Sequence, residues 1–582
     1  CYKVLAFIFN IKNKSQFNIR VPMTKDTVSN VVKLKKSVSE MINSNSQCDT
    51  IGLLPWHAAK LFGDQEALYF EGRRWNFKEF SKEVDVVAKG LLSLGIKPQD
   101  KVALWMVNRA EWLFLMYATA KIGAILVPLN TRYRSEDVAY AVQQSESIVW
   151  IVQAQSGPIN FLDMVCKNLK NINNSEQGPK WKKFPNLRKV VIFNGPTKPN
   201  MMNWEKMLEN GEKISESTLN QRAHAVEEKD TFLIAYTSGT TGSPKGVMHC
   251  HKVIKNTADR INRLRITNDD VILNSLPMFH LYGYGEGAIM SIISGAKQVL
   301  TETFNANENL TLIEQESVTI IHGFDTHYKD MIDKQLSNPR IISSLRLGTF
   351  PSGAPNSISI AHKAQKELVQ TVSGWGMTET WAFATISNPE DTEEQRCQAS
   401  GYPMPGIEIR IVNPEDGKDV EIGNQGELWV KSYMNMKGYF NKPQETEEVL
   451  TKDGWLRTGD TAILRSDGHL QFLGRFKDML KVGGENVSSL EIEAFLKGIN
   501  GVDQVALVGL PDDRLHEIPV AIIVPVEKFE ITIEDIQIYC RNRIASFKIP
   551  HYLICVDKLP MTPTGKVQKH ILRELAIKRL KT

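Results

Sequence analysis

The sequence predicts an α/β protein: a large N-terminal domain of mostly parallel sheets flanked by helices, then antiparallel strands, then a small α+β C-terminal domain. Three observations carry this. Short apolar runs alternate with stretches of helical periodicity from Ile51 to about residue 372. Beyond about residue 400 the helical spacers thin out and the apolar runs read as antiparallel strands. About 107 residues follow Arg475, enough for a separate domain.

Taken in order, Phe80, Val84, Val87, Ala88 and Leu91 recur at helical spacing and Gly95 supplies a stop. Residues 102–105 form a buried strand. The run 112–129 is the strongest membrane candidate, but it contains Lys121 and Gly123 and nears its end at Pro128. A span needs about 20 uninterrupted apolar residues, so this run reads as buried helix, glycine stop and buried strand. Further strands are expected at 148–152, 190–193, 232–235, 271–273, 318–321, 345–350 and 369–372. The segment 171–185, rich in Asn, Lys, Gly and Pro, is expected to be an exposed loop. Later come strands at 408–412 and 427–430, and in the small domain a helix at 489–496, strands at 505–509 and 520–526, and a helix from Ile533.

Composition bounds the function. Of 582 residues, 42% are hydrophobic and 23% charged, so the chain can bury a large core. A net charge of +4 on so large a body offers no electrostatic case for nucleic acid or acidic lipid. Seven dispersed cysteines with no C-x-x-C pair argue against a disulfide framework and a thiolate metal site, and for a reducing compartment. His249-Cys250-His251 is a tight cluster of potential ligands, but its spacing matches no zinc pattern and these residues are expected to start a helix. Residues 1–22 lack any acid and are expected to lie outside the fold, as a transit peptide or as translated upstream sequence before Met23. The expected division is an extension at 1–48, a large domain at 49–474 and a small one at 475–582.

The chemistry concentrates in a few strings. YTSGTTGSPKG follows the apolar run 232–235 and contains Thr237, Ser238, Gly239, Thr240, Thr241, Gly242, Ser243, Pro244 and Lys245. Its glycines let the backbone curl, and its hydroxyls, N–H groups and one ammonium can surround phosphate oxygens. The spacing is not that of a kinase-like P-loop. LPMFHLYG, PSGAP, GWGMTET, GELWV, WLRTGD, GRFKDMLKVGGEN and PTGKVQK follow in that order.

With these motifs, in this order, the chain from about Ile51 onward resembles the adenylate-forming enzymes, which include acyl-CoA synthetases, firefly luciferase and peptide-synthetase adenylation domains. The resemblance implies a β-barrel-like subdomain in the large domain and a mobile small domain. It implies ATP and Mg2+ as cofactors, and CoA and a carboxylic acid as further substrates. It assigns ATP contacts to the loop 237–245, to Gly353, Ala354 and Pro355, and to Trp375, Gly376 and Met377, with Trp375 stacking on adenine. Thr378 is implied as a phosphate contact and Glu379 as the magnesium ligand. Asp460 and Arg475 are implied to hold the ribose hydroxyls, and Lys566 to bridge carboxylate and phosphate during adenylation. His280 would stand between nucleotide and acyl pocket. Lys477 would be the hinge, and Lys481, Gly483 and Gly484 would enter the site for thioester formation.

Some positions depart from the family pattern. The string 322–327 (HGFDTH) replaces a Gly-x-Pro-Thr turn at the acyl-pocket floor, Ser488-Ser489 replaces a Tyr/Pro pair, and His516-Glu517 replaces Gly-Glu. The resemblance is nearest to the medium-chain fatty acyl-CoA ligase branch, which includes mitochondrial members. The expectation is therefore a soluble intracellular ligase, in mitochondrion or cytoplasm. Adenylation for another acceptor and a catalytically silent acyl or nucleotide sensor remain as alternatives; retention of Glu379, Asp460, Arg475 and Lys566 argues against the sensor. Acid chain length and oligomeric state are outside what motifs report.

Overall fold

Local sequence logic places the first elements. In the computed structural model, Asn76 caps the helix Phe77–Ser93: its side chain accepts from the Glu79 N–H (2.8 Å) while the Glu79 carboxylate accepts from the Asn76 N–H (2.9 Å). The apolar stripe Phe80, Val84, Val87, Ala88 and Leu91 is buried. The run that resembled a membrane span is a buried helix, Ala110–Lys121, followed by the strand Ile125–Pro128. Lys121, itself buried, pairs with Asp85 on the neighbouring helix. No helix among the described residues is long and apolar enough to cross a membrane. Those residues are 50–580, without 170–171, 176–177, 238–243, 354–356, 483–484, 513–514, 528, 542, 545 and 563–565; at 172–175, 178–180, 477, 481, 485–486 and 516 the backbone alone is described.

Two large sheets form the body. One runs Met202–Asn203, Lys189–Phe193, Val149–Gln153, Lys101–Trp105, Ile125–Pro128, Thr231–Thr237, Lys245–Cys250 and Gly438–Tyr439. It is parallel up to Thr231–Thr237 and antiparallel beyond. The other runs Thr371–Val372, Leu347–Thr349, Ile320–His322, Val271–Asn274, Lys297–Leu300, Glu66–Phe70 and Arg73–Asn76, parallel except for the last pair. Helices cover them, as continuous apolar strands require. One core cluster contains residues of both sheets, from Leu104 and Leu233 to Ile272 and Ile320.

Beyond these lie a three-stranded antiparallel sheet (Gly374–Met377, Ala382–Ile386, Tyr402–Pro403) and a four-stranded one (Ile407–Val412, Gln425–Ser432, Trp455–Leu464, Leu470–Arg475). After a short turn at Phe476–Asp478, a further sheet joins Glu485–Ser488, Met479–Val482, His516–Pro525 and Val502–Asp512, with Tyr552–Cys555 parallel to His516–Pro525. Separate apolar clusters around Leu507 and Val508 belong to it.

Two expectations need correction. The segment 171–185 is not a featureless exposed loop: Ile172–Ser175 pairs with Gly178–Trp181, and Trp181 and Phe184 are buried against Trp150 and its neighbours. Two large aromatics outweigh the polar composition. His249-Cys250-His251 does not start a helix; His249 and Cys250 end the strand Lys245–Cys250, and the helix opens at Val253. Pairing with Thr231–Thr237 extends the strand through these residues. The strand Lys297–Leu300 was missed because Lys297 and Gln298 break its apolar run.

Candidate active site

Thr231–Thr237 and Lys245–Cys250 form a hairpin in which Thr237 lies opposite Lys245 and its hydroxyl donates to the Lys245 carbonyl (3.4 Å). Ser238 to Ser243 lie outside the described residues. Pro244 accepts a hydrogen bond from the Tyr140 hydroxyl (3.2 Å). The Lys245 ammonium lies 4.8 Å from the centre of the Tyr439 ring.

Tyr439 also donates its hydroxyl to Oε1 of Glu379 (2.9 Å). Burial, then the charge of Glu379, pushes its phenol pKa far up, so it stays a donor. The Thr378–Thr380 turn is held from behind: the Thr378 carbonyl accepts from Nε2 of His249 (2.7 Å) and the Glu379 carbonyl from the Met436 N–H (2.8 Å). Burial lowers the His249 pKa to about 4, so the ring is neutral and its Nε2–H is the donor. The turn needs Gly376, since a Cβ there would lie 1.3 Å from the Ala382 carbonyl oxygen. A buried carboxylate beside a threonine is an oxygen donor set suited to a hard cation such as magnesium.

Asp460 and Arg475 face each other in register on adjoining strands. Their Oδ1 and Nη1 are 2.9 Å apart, and Arg475 also donates to the Thr458 carbonyl (3.0 Å). The indole N–H of Trp375 donates to Oδ2 of Asp460 (2.9 Å). Asp460 in turn raises the Arg475 pKa, keeping that guanidinium charged. Nearby, Ser352 donates to the Cys397 carbonyl (2.5 Å) and accepts through its own carbonyl from Ser400 (2.8 Å). Gly353, at φ +100°, follows in a place where a Cβ would meet the Ser400 hydroxyl at 2.3 Å. Ala354 and Pro355 lie outside the described residues.

Lys566 comes from the far end of the chain. Its N–H donates to the Thr562 hydroxyl (3.0 Å) and its carbonyl accepts from the Thr562 N–H (2.6 Å), closing a tight turn. Its side chain is exposed, yet its ammonium pKa is lowered, first by the protein packed around it and then by the Arg475 charge; Asp460 and Glu379 oppose this. The residue therefore stands at a cleft, within electrostatic reach of those three groups. Lys566 also acts on His280, whose pKa falls to about 4 through burial and then the lysine's charge. The ring centre of His280 is 5.9 Å from that of Phe324, and its Nδ1 accepts from the Tyr282 N–H (3.2 Å).

Comparison with known proteins decides what such a cleft belongs to. Residues 55–440 match the AMP-binding enzyme model and residues 491–566 the AMP-binding enzyme C-terminal domain. The chain belongs to the AMP-binding enzyme family. It is similar to the putative acyl-CoA synthetase YngI of Bacillus subtilis, 32% identical over 93% of this chain and 98% of that one. It is also 32% identical to the mitochondrial medium-chain acyl-CoA ligase ACSF2 of Bos taurus, covering 90% and 87%. Among solved structures, it is similar to the anthranilate CoA ligase AuaEII in complex with anthranoyl-AMP (TM-score 0.77, 26% identity, 92% and 98% covered). ATP-bound MatB from Rhodopseudomonas palustris gives a TM-score of 0.76 at 25% identity, with 90% and 99% covered. This AMP-binding enzyme groups with acyl-CoA synthetases and ligases.

Sequence reasoning named Glu379, Thr378, Trp375, Asp460, Arg475, Lys566 and His280, and the fold brings them to one cleft. Lys477 lies in the turn Phe476–Asp478, where its backbone alone is described; the side chain of Lys481, and Gly483 and Gly484 entirely, lie outside the described residues. Tyr439 and the buried pair Arg260–Glu286 went unread, and His249 was weighed only as a potential metal ligand at a helix start, not as the donor to the Thr378 carbonyl. No local pattern marks Tyr439, whose two-residue strand acquires meaning only by pairing with Val247. In the departing string 322–327, the Phe324 N–H finds an acceptor in His327 Nδ1 (3.0 Å), so the altered turn still starts a helix, Asp325–Ser337. Ser488 likewise serves as an N-cap, accepting from the Glu491 N–H (3.3 Å).

Proposed function

We propose that this enzyme is an ATP-dependent acid–thiol ligase. It converts a carboxylic acid, of the medium-chain fatty acid class, to its acyl-CoA through an acyl-adenylate, releasing AMP and pyrophosphate. The observation that carries the reading is the position of Lys566, in a turn near the C-terminus, within electrostatic reach of Arg475, Asp460 and Glu379. Carboxylate attack on the α-phosphorus brings two anions together, so cations and donors must stand where charge builds up.

In this reading Lys566 bridges the carboxylate and the α-phosphate, and Asp460 and Arg475 offer acceptor and donors to the ribose hydroxyls. Trp375, its indole edge tied to Asp460, presents a face to adenine. The loop 237–245 and residues 353–355 surround the phosphates. Thr378 would contact phosphate and Glu379 would hold magnesium, which neutralises phosphate charge when bound. Neutral His280 separates the phosphates from the acid tail. Domains at 49–474 and 475–582 would rotate about Lys477, bringing Lys481, Gly483 and Gly484 in for CoA. The bovine relative's name supports a mitochondrial setting, which fractionation checks.

The test is pyrophosphate release with magnesium-ATP and linear carboxylates from acetate to palmitate, with and without CoA. CoA-dependent turnover with an optimum at medium chain length is expected. Release indifferent to CoA, or none with any acid, would overturn the reading.

A further inference from the structure

The segment that leads inward from His280 widens into a π-helix over Gly283–Ile289. Tyr282, at its mouth, packs its ring 5.2 Å from Phe324 and 5.1 Å from Phe383. One turn deeper, Glu286 meets Arg260 of the helix Val253–Leu264. Both side chains are wholly buried, with Nη2 2.7 Å from Oε1 and Nε donating to Oε2 (3.1 Å). Arg260 Nη1 and Trp381 Nε1 are buried and have no hydrogen-bond partner among the described residues.

These groups converge on Gly285. A Cβ built there would lie 3.7 Å from Arg260 Nη2, which is paired with Glu286, and 3.8 Å from the unpartnered Trp381 Nε1, so a notch about one methyl deep separates the helix from a charged pair and an indole N–H. Both of its walls are close in the chain to residues of the catalytic cleft. Gly285 lies one helical turn beyond His280, and Trp381 follows Glu379 by two residues with its ring 5.2 Å from His249, which holds the Thr378 carbonyl. A buried ion pair is often no more stable than well-packed apolar residues. A hydrocarbon end pressed against a charged pair and the unpaired Trp381 N–H offers neither a polar partner.

We infer that Arg260, Glu286 and Trp381 form a polar floor around Gly285 that limits how long an alkyl tail the acid pocket accepts. This rests on the acid–thiol ligase reading, since the pocket is that of its acid. Tails that stop short of the notch leave the floor undisturbed; longer tails would have to displace the Gly285 segment and pack against a charged pair and an indole N–H that hydrocarbon cannot hydrogen-bond.

The test measures kcat/KM for each even-numbered acid from butyrate to palmitate, in the wild type and two variants. In Arg260→Met/Glu286→Leu the charge pair goes as a unit, and the optimum is expected to move to longer acids. The longest-to-optimal ratio should rise by about tenfold or more, the worth of one or two admitted methylenes. In Gly285→Ala the added Cβ makes only ordinary contacts while filling the notch, so the optimum is expected to move to shorter acids. Should the double variant fail to fold, Gly285→Ala decides alone. Active, folded variants with the wild-type acid profile would overturn the floor and leave the ligase reading standing. A wild type with no CoA-dependent turnover on any acid would remove both.

Discussion

The two ends of the cleft handle charge in opposite ways. At the nucleotide end, Lys566 is exposed, Arg475 is 36% exposed along its side chain, and Asp460 and Glu379 are buried just behind. Their charges face a space that a ligand can enter. At the acid end, Arg260 and Glu286 are 0% exposed and cancel each other, while burial lowers the pKa of His280 to about 4 and of His322 to about 3. The first end offers charge to a ligand; the second consumes it internally. A site that binds a polyanion and a hydrocarbon side by side needs both treatments, because an unmatched charge beside the tail would cost several kcal/mol.

Acid should break the closed end first. His249, His251, His280 and His322 have pKa values lowered from 6.5 to about 4, 3, 4 and 3. The unfolded chain then binds more protons than the native one as pH falls below 6.5. Stability should be fully present above that pH and decline toward pH 4, each histidine adding at most about 1.4 kcal/mol per pH unit. Denaturant unfolding at pH 7.5, 6 and 5 measures the slope; a flat profile would show that these rings are not held neutral.

Next in size is Arg260→Met alone, which leaves Glu286 buried without its partner and should cost about 3–5 kcal/mol. Removing both charges should cost much less, and equal losses in single and double variants would deny that the pair acts as a unit. At the open end, Lys566→Ala should slow adenylation by about 10²–10³ with little loss of global stability. Thioester formation from supplied acyl-AMP should be largely spared, and single-turnover assays separate the two steps. Trp375→Phe should have the smallest effect. Loss of one hydrogen bond to a carboxylate is worth about 1.5–3 kcal/mol at most, read as a higher KM for ATP with kcat nearly unchanged.

The open end was legible in the sequence because its groups lie in short contiguous strings: Trp375, Thr378 and Glu379 within five residues, Asp460 and Arg475 at the ends of one hairpin. The closed end was not. Arg260 and Glu286 are 26 residues apart on two helices, each an ordinary charged residue in its own window. Tyr439 and His249 act through strand pairing and a carbonyl bond, neither of which has a one-dimensional signature. Fold class was readable from the alternation of apolar runs, whereas the hairpin at 172–181 was hidden because pairing and two buried aromatics overrode a polar composition.

The π-helix at Gly283–Ile289 has one more implication. A π-turn holds one residue more than an α-turn between the same two ends. Shortening this segment by a single residue would restore an ordinary helix and swing Glu286 roughly a quarter-turn or more away from Arg260. The position of the polar floor is thus governed by segment length as well as by side-chain identity. Insertion or deletion of a residue here, rather than point substitution, is the coarse adjustment by which a lineage or a designer could re-aim the acid end while leaving the nucleotide end as it stands.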